Sequence, residues 1–203
     1  MGDALHTLWA MRKILSLLAI AALLVVTGCS AKEPAGDASS SPADPAVLQR
    51  LGFEGMTGKQ IVEQVDRDAQ PRPLAFYASV RPTGLLLKDA QGSTTVPLPT
   101  DEFYLSIAPY ATSTHDCHFH SLGTCNGELK DVEVSVKITA ADGTVLVDEK
   151  TSTYAGNGFV GFWIPKGKTG TVQVTTADGK SGSAPFSSAG DEDATCMTTL
   201  KVA

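Results

Sequence analysis

The stretch from His115 to Glu128, HDCHFHSLGTCNGE, holds two of the chain's four cysteines and three of its four histidines. Thiolate and imidazole bind soft and borderline metals such as Cu(I) and Zn(II), and thiolates also carry redox chemistry. Cys117 and Cys125, eight residues apart, can fold back onto one ion or into one disulfide. His118 and His120 differ by two positions, so an extended backbone places them on one face, with Cys117 and Phe119 on the other. Either the turn expected at Ser121-Leu122-Gly123-Thr124 bends the chain until all four converge, or the histidines form a second pair beside the sulfurs. Cys196 sits next to Met197 near the C-terminus, and its distance in sequence says nothing of its distance in space.

Neighbouring residues have expected parts as well. Asp116 and Glu128 are candidate acceptors for orienting the imidazoles. His115 reads as a surface histidine and Met197 as a packed side chain, with thioether ligation as its alternative. A cysteine protease is excluded, because it needs a histidine away from the nucleophile's own loop, and His115, His118 and His120 all crowd Cys117. A thioredoxin-type oxidoreductase is excluded by the lack of any Cys-x-x-Cys spacing. Three cysteines and a histidine also suit zinc, which is the nearest competing metal. A structural protein stapled by a Cys117–Cys125 bridge is a further alternative, although it leaves a thiol unpaired and gives His118 and His120 no work.

The run CHFHSLGTCNGE, followed by a late single cysteine, resembles the CueP family of periplasmic copper-binding proteins, and the resemblance extends from about Pro45 to the C-terminus. It implies a protein that holds copper outside the cytoplasm, limits its toxicity and passes it to client enzymes such as copper/zinc superoxide dismutase. With copper as the ligand, donor number assigns Cys117, Cys125 and Cys196 to one Cu(I) site, since a third sulfur closes a site that two leave exchangeable. Imidazole suits Cu(II), which gives His118 and His120 the reception of the oxidised ion and the setting of its reduction rate. Two thiolates can supply the electrons that reduce Cu(II), which makes the three cysteines the reacting residues of a thiol-dependent cupric reductase. A thiol redox protein with incidental metal binding is the alternative.

The rest of the chain must export and position this site. Residues 1–28 read as a lipoprotein signal peptide: Arg12 and Lys13 precede an apolar run from Ile14 to Val26 that is too short to span a bilayer. The run ends in Val26-Thr27-Gly28-Cys29, which resembles a bacterial lipobox with Cys29 as the lipid attachment. Such a protein is extracytoplasmic, anchored in the periplasm or on the outer face of the cell membrane. The ten residues before Met11 add nothing to the signal, which makes Met11 an alternative start. Residues 29–44, rich in Ala, Ser, Asp, Pro and Gly, have the composition of a flexible tether. A formal net charge of −6 and a pI near 5.1 exclude a nucleic-acid binder that works through a basic surface.

Residues 45–73 form a helical N-terminal segment, with one helix over Pro45 to Leu51 stopped by Gly52 and a second starting at Thr57, where Thr57 and Gln60 have capping-box spacing. Each helix has a single apolar stripe, which must pack on the next region or on a second copy in a homodimer. Residues 74–203 switch to period two and form the β-rich metal-binding domain. Strands are expected at Leu74 to Val80, Phe103 to Ala108, Val132 to Ile138, Val145 to Val147, Phe159 to Ile164 and Val172 to Thr175. Asp142-Gly143 and Asp178-Gly179 mark tight hairpins, and Gly156-Asn157-Gly158 marks a turn. The expected fold is mainly β, an antiparallel sandwich or small barrel with Phe159, Phe162, Trp163 and Phe186 in its core.

Overall fold

The structure, a computed structural model, describes residues 43–203. The expected signal peptide, Cys29 and nearly all of the tether lie outside the described residues. Helix α1 (Pro45–Leu51) opens where the Asp44 carboxylate accepts from the Ala46 N–H and Pro45 occupies a first-turn position that needs no donor. It closes at Gly52, which takes the left-handed φ of 76°. Helix α2 (Gly58–Asp66) begins with the expected reciprocal Thr57–Gln60 capping box. The stripes of the two helices, Val47 from α1 and Ile61, Val62 and Val65 from α2, pack within the chain on a first antiparallel sheet. That sheet has the order β1 (Tyr77–Val80), β2 (Gly84–Lys88), β3 (Ser93–Pro97).

A second sheet is built from β4 (Glu102–Ile107), β7 (Val160–Pro165) and the short terminal strand β10 (Cys196–Met197), in the order β10-β4-β7. A third contains β5 (Glu133–Ala140), β6 (Val145–Ser152), β8 (Thr169–Thr176) and β9 (Ser181–Ser187), in the order β6-β5-β8-β9. Period two divides the middle sheet cleanly. Phe103, Leu105 and Ile107 of β4 and Val160, Phe162 and Ile164 of β7 face the four-stranded sheet and form the main core with Val136, Ile138, Val172 and Phe186. Tyr104 and Trp163, paired across the same two strands, face the other way into the core beneath the helices. The fold is therefore mainly β and antiparallel apart from the β10–β4 pair, with a helical segment over an added sheet.

Each expected strand is present, although the first pairs only from Tyr77 to Val80. Gly143 and Gly179 both take φ near 86°, as their hairpins require. Strands β2, β3 and β9 were not expected from the sequence. Among the described residues no helix is long and apolar enough to cross a membrane.

Candidate metal centre

The histidine- and cysteine-rich stretch runs between two sheets and is fixed to both. On one side the Val80 N–H donates to the His120 carbonyl at 2.8 Å and the Leu122 N–H to the Ala78 carbonyl at 2.8 Å, tying the stretch to β1. On the other, the Cys196 N–H donates to the His118 carbonyl at 3.1 Å and the His120 N–H to Thr195 Oγ1 at 2.9 Å, tying it to β10. The expected turn reverses the chain, with the Cys125 N–H donating to the Ser121 carbonyl at 2.9 Å. Gly123 is required there, because a Cβ would lie 2.5 Å from the Phe76 carbonyl oxygen. Parallel pairing with β4 carries Cys196 back to the same place from the far end of the chain.

These ties bring four donors together. The Sγ atoms of Cys117, Cys125 and Cys196 and a ring nitrogen of His120 all lie within 4.8 Å of one another. Cys117 and Cys196 form a disulfide with Cα atoms 5.7 Å apart, and the Cys125 thiol stands 3.3 Å from Cys117 Sγ. His120 Nδ1 is 3.8 Å from Cys196 Sγ. Cys125, Cys196 and His120 are buried, whereas Cys117 is half-buried. An open cavity of about 310 Å³ lined by Leu105, Cys117, Phe186, Cys196 and Met197 gives access to the disulfide. Phe159 is fully buried against the centre, its ring 4.5 Å from that of His120, a core role as the sequence predicts.

The structure corrects several expectations. The disulfide joins Cys117 to Cys196 and not to Cys125. His118 and His120 do not form a pair beside the sulfurs: the chain bends at His118–Phe119, so the alternation of an extended strand does not apply, and only His120 turns inward. His118 is exposed, with Nε2 at 2.9 Å from the Glu192 carbonyl. His115 is half-buried against Phe159, its Nε2 without a hydrogen-bond partner among the described residues, where a surface position was expected. Met197 packs in the main core, as expected. Asp116 is exposed.

Glu128 orients no imidazole. It accepts instead from the Thr112 hydroxyl and from the N–H groups of Ala111 at 2.7 Å and Thr112 at 3.0 Å, bonds that hold its carboxyl at about 2. A carboxylate whose pKa falls on folding stabilises the fold fully above its unfolded value near 4.5, and that contribution is lost as pH falls through about 2. Glu128→Gln is therefore expected to weaken the protein at pH 6 and to make its urea midpoint fall less than the wild type's between pH 5 and pH 2.

Sequence reading missed a group of residues behind His120. Its Nε2 lies 2.9 Å from Asp66 Oδ1, and both side chains are fully buried. Burial opposes charge on His120, but the adjacent Asp66 carboxylate outweighs it and raises the imidazole to about 9. Burial likewise opposes charge on Asp66, yet His120, Tyr104 and Asn157 together keep its carboxyl below the usual range. No local signal in the sequence joins Asp66 to a histidine 54 positions away.

Chemically, a disulfide centre of this kind can be closed or, on reduction, open. With the disulfide closed, Cys125 and His120 are the remaining donors of the cluster, and Cys125 stands beside the Cys117 sulfur that an attacking thiolate would strike. Opened, the centre would offer three thiolates and one imidazole whose donor atoms already lie within 4.8 Å of one another, a set suited to a soft metal ion.

A family model described as "Periplasmic copper-binding protein CueP" matches residues 60–201. The solved structure titled "Crystal Structure of S.CueP" matches with a TM-score of 0.74 at 40% sequence identity, covering 78% of this chain and 96% of that chain. No curated protein matches the chain.

Proposed function

The chain belongs to the CueP family of periplasmic copper-binding proteins, and from that premise we propose that it is a lipid-anchored protein that reduces Cu(II) with its own thiols and holds the Cu(I) for delivery. Copper as the ligand and a place outside the cytoplasm follow from the family. The observation that carries the finer reading is the convergence of Cys117, Cys125, Cys196 and His120 on one volume. In the reduced protein two thiolates each give up one electron, two Cu(II) become two Cu(I), and one disulfide forms. That disulfide removes two donors, so retention of Cu(I) requires an external dithiol reductant to reopen it. The half-buried Cys117 beside the open cavity is the sulfur that such a reductant reaches. The recipient of the Cu(I) is a client copper enzyme such as copper/zinc superoxide dismutase.

The test is to mix the reduced protein anaerobically with Cu(II) and read Cu(I) with a chromophoric chelator. Two Cu(I) per disulfide formed is the expected yield, with none after alkylation of the thiols. If the thiols persist and no Cu(I) forms, the protein only stores copper. Zinc is the competing cargo, since three thiolates and one imidazole also make a closed tetrahedral set. Anchoring has its own check: Cys29→Ala should move the protein from the membrane to the soluble fraction without changing metal stoichiometry. A variant that still sediments with membranes would contradict the lipobox.

A further inference from the structure

Helix α2 buries Gly58, Ile61, Val62 and Val65, all without charge, and then Asp66, whose side chain is entirely shielded from water. A buried carboxylate is costly unless its lone pairs are used. Here they are used by donors from three other parts of the fold. Oδ1 accepts from His120 Nε2 at 2.9 Å and from Asn157 Nδ2 at 2.7 Å, and Oδ2 accepts from the Tyr104 hydroxyl at 2.6 Å. The orientation of the Asn157 amide is set independently, because its Oδ1 accepts from the Phe159 N–H at 2.9 Å while Nδ2 also reaches the Asp66 carbonyl at 3.0 Å. The carboxylate is thus an acceptor on every side, and the His120 nitrogen facing it must carry a proton.

We propose that Asp66 is the positioning residue of the metal centre: by holding the Nε2–H of His120 it makes Nδ1, the nitrogen 3.8 Å from Cys196 Sγ, the atom that binds metal. A metal-bound imidazole needs one free lone pair, and the hydrogen bond on the other nitrogen decides which one and fixes the ring plane. Asn157 and Tyr104 hold the carboxylate from two further directions, so α2, β4 and the turn before β7 together aim one imidazole at the sulfurs. This inference rests on His120 being a ligand. A purely structural Asp66–His120 pair would stabilise the fold without bringing metal to Nδ1.

The first measurement needs no variant: nitrogen NMR of isotope-labelled histidine in the reduced, Cu(I)-loaded protein. The expected result is a His120 ring with metal-bound Nδ1 and protonated Nε2. A metal-bound Nε2 overturns the assignment to Asp66. Neither nitrogen bound, with copper still on the thiols, overturns instead the reading of His120 as a ligand, so the two failures are distinguishable. The second measurement uses Asp66→Asn, a weaker acceptor of the same shape. It should lower Cu(I) affinity by about 10- to 100-fold, the range for lost outer-sphere partners, and shift the His120 nitrogens away from their metal-bound values. If Asp66→Asn folds and keeps both affinity and signature, the proposal fails; if it does not fold, the wild-type spectrum decides.

Discussion

Cys196→Ser is expected to lower the Cu(I) affinity of the reduced protein by more than the roughly 100-fold that loss of an outer-sphere partner costs. The reason is donor chemistry. A hydroxyl is a hard, neutral ligand where Cu(I) wants a soft thiolate, and the sulfur removed is the one 3.8 Å from the His120 nitrogen. Working with reduced protein keeps this effect apart from a second one. In the oxidised protein the same substitution opens a disulfide that spans 79 residues, which in the chain-entropy account is worth about 4.5 kcal/mol of stability. Competition with a chromophoric Cu(I) chelator reads the first effect, and urea unfolding of oxidised protein reads the second. Wild-type affinity in the variant would remove Cys196 from the site.

The two histidines should part company under mutation. His120→Ala is expected to destabilise the reduced, metal-free protein by about 3–5 kcal/mol, because it leaves the Asp66 carboxylate buried without its ionic partner. It also removes the nitrogen donor from the cluster and should weaken Cu(I) binding. His118→Ala is expected to change stability by no more than about 0.5 kcal/mol, since its ring is exposed and makes only surface contacts among the described residues, with the Glu192 carbonyl and the edge of Phe119. Urea unfolding of both variants under one set of conditions makes the comparison. Equal effects would contradict the inward turn of His120 alone.

The stretch from His115 to Glu128 announced itself by composition, and alternation was enough to find β4, β5 and β7, whose inward positions are Val, Ile, Leu and Phe. The strands that escaped lacked that contrast. Strand β2, GLLLK, buries Leu85 and Leu87 on one face but carries the equally apolar Leu86 on the other, so its sequence pattern is continuous instead of alternating. Strand β3 alternates in burial, but through Ser, Thr and a closing Pro. Strand β9 does so through small residues around Pro185, which an edge strand tolerates. In the centre, the two donor types were legible and their partition was not. A bend at His118–Phe119 cannot be read from a two-residue spacing, and it decides which imidazole faces the sulfurs. Asp66 was invisible for a different reason: on an amphipathic helix an acidic residue reads as solvent-facing until the chain brings His120, Tyr104 and Asn157 around it.

Three sulfurs and one imidazole, gathered from the stretch and the terminal strand, are expected to make a single Cu(I) site. Anaerobic titration of the reduced, untagged protein with Cu(I), followed by X-ray absorption at the copper edge, tests it most directly. Saturation is expected at one Cu(I) per chain, with a shell of three sulfurs and one nitrogen that loses its nitrogen in His120→Ala and a sulfur in Cys196→Ser. Copper that still binds with full affinity after all three thiols are alkylated, or a shell without sulfur, would contradict it.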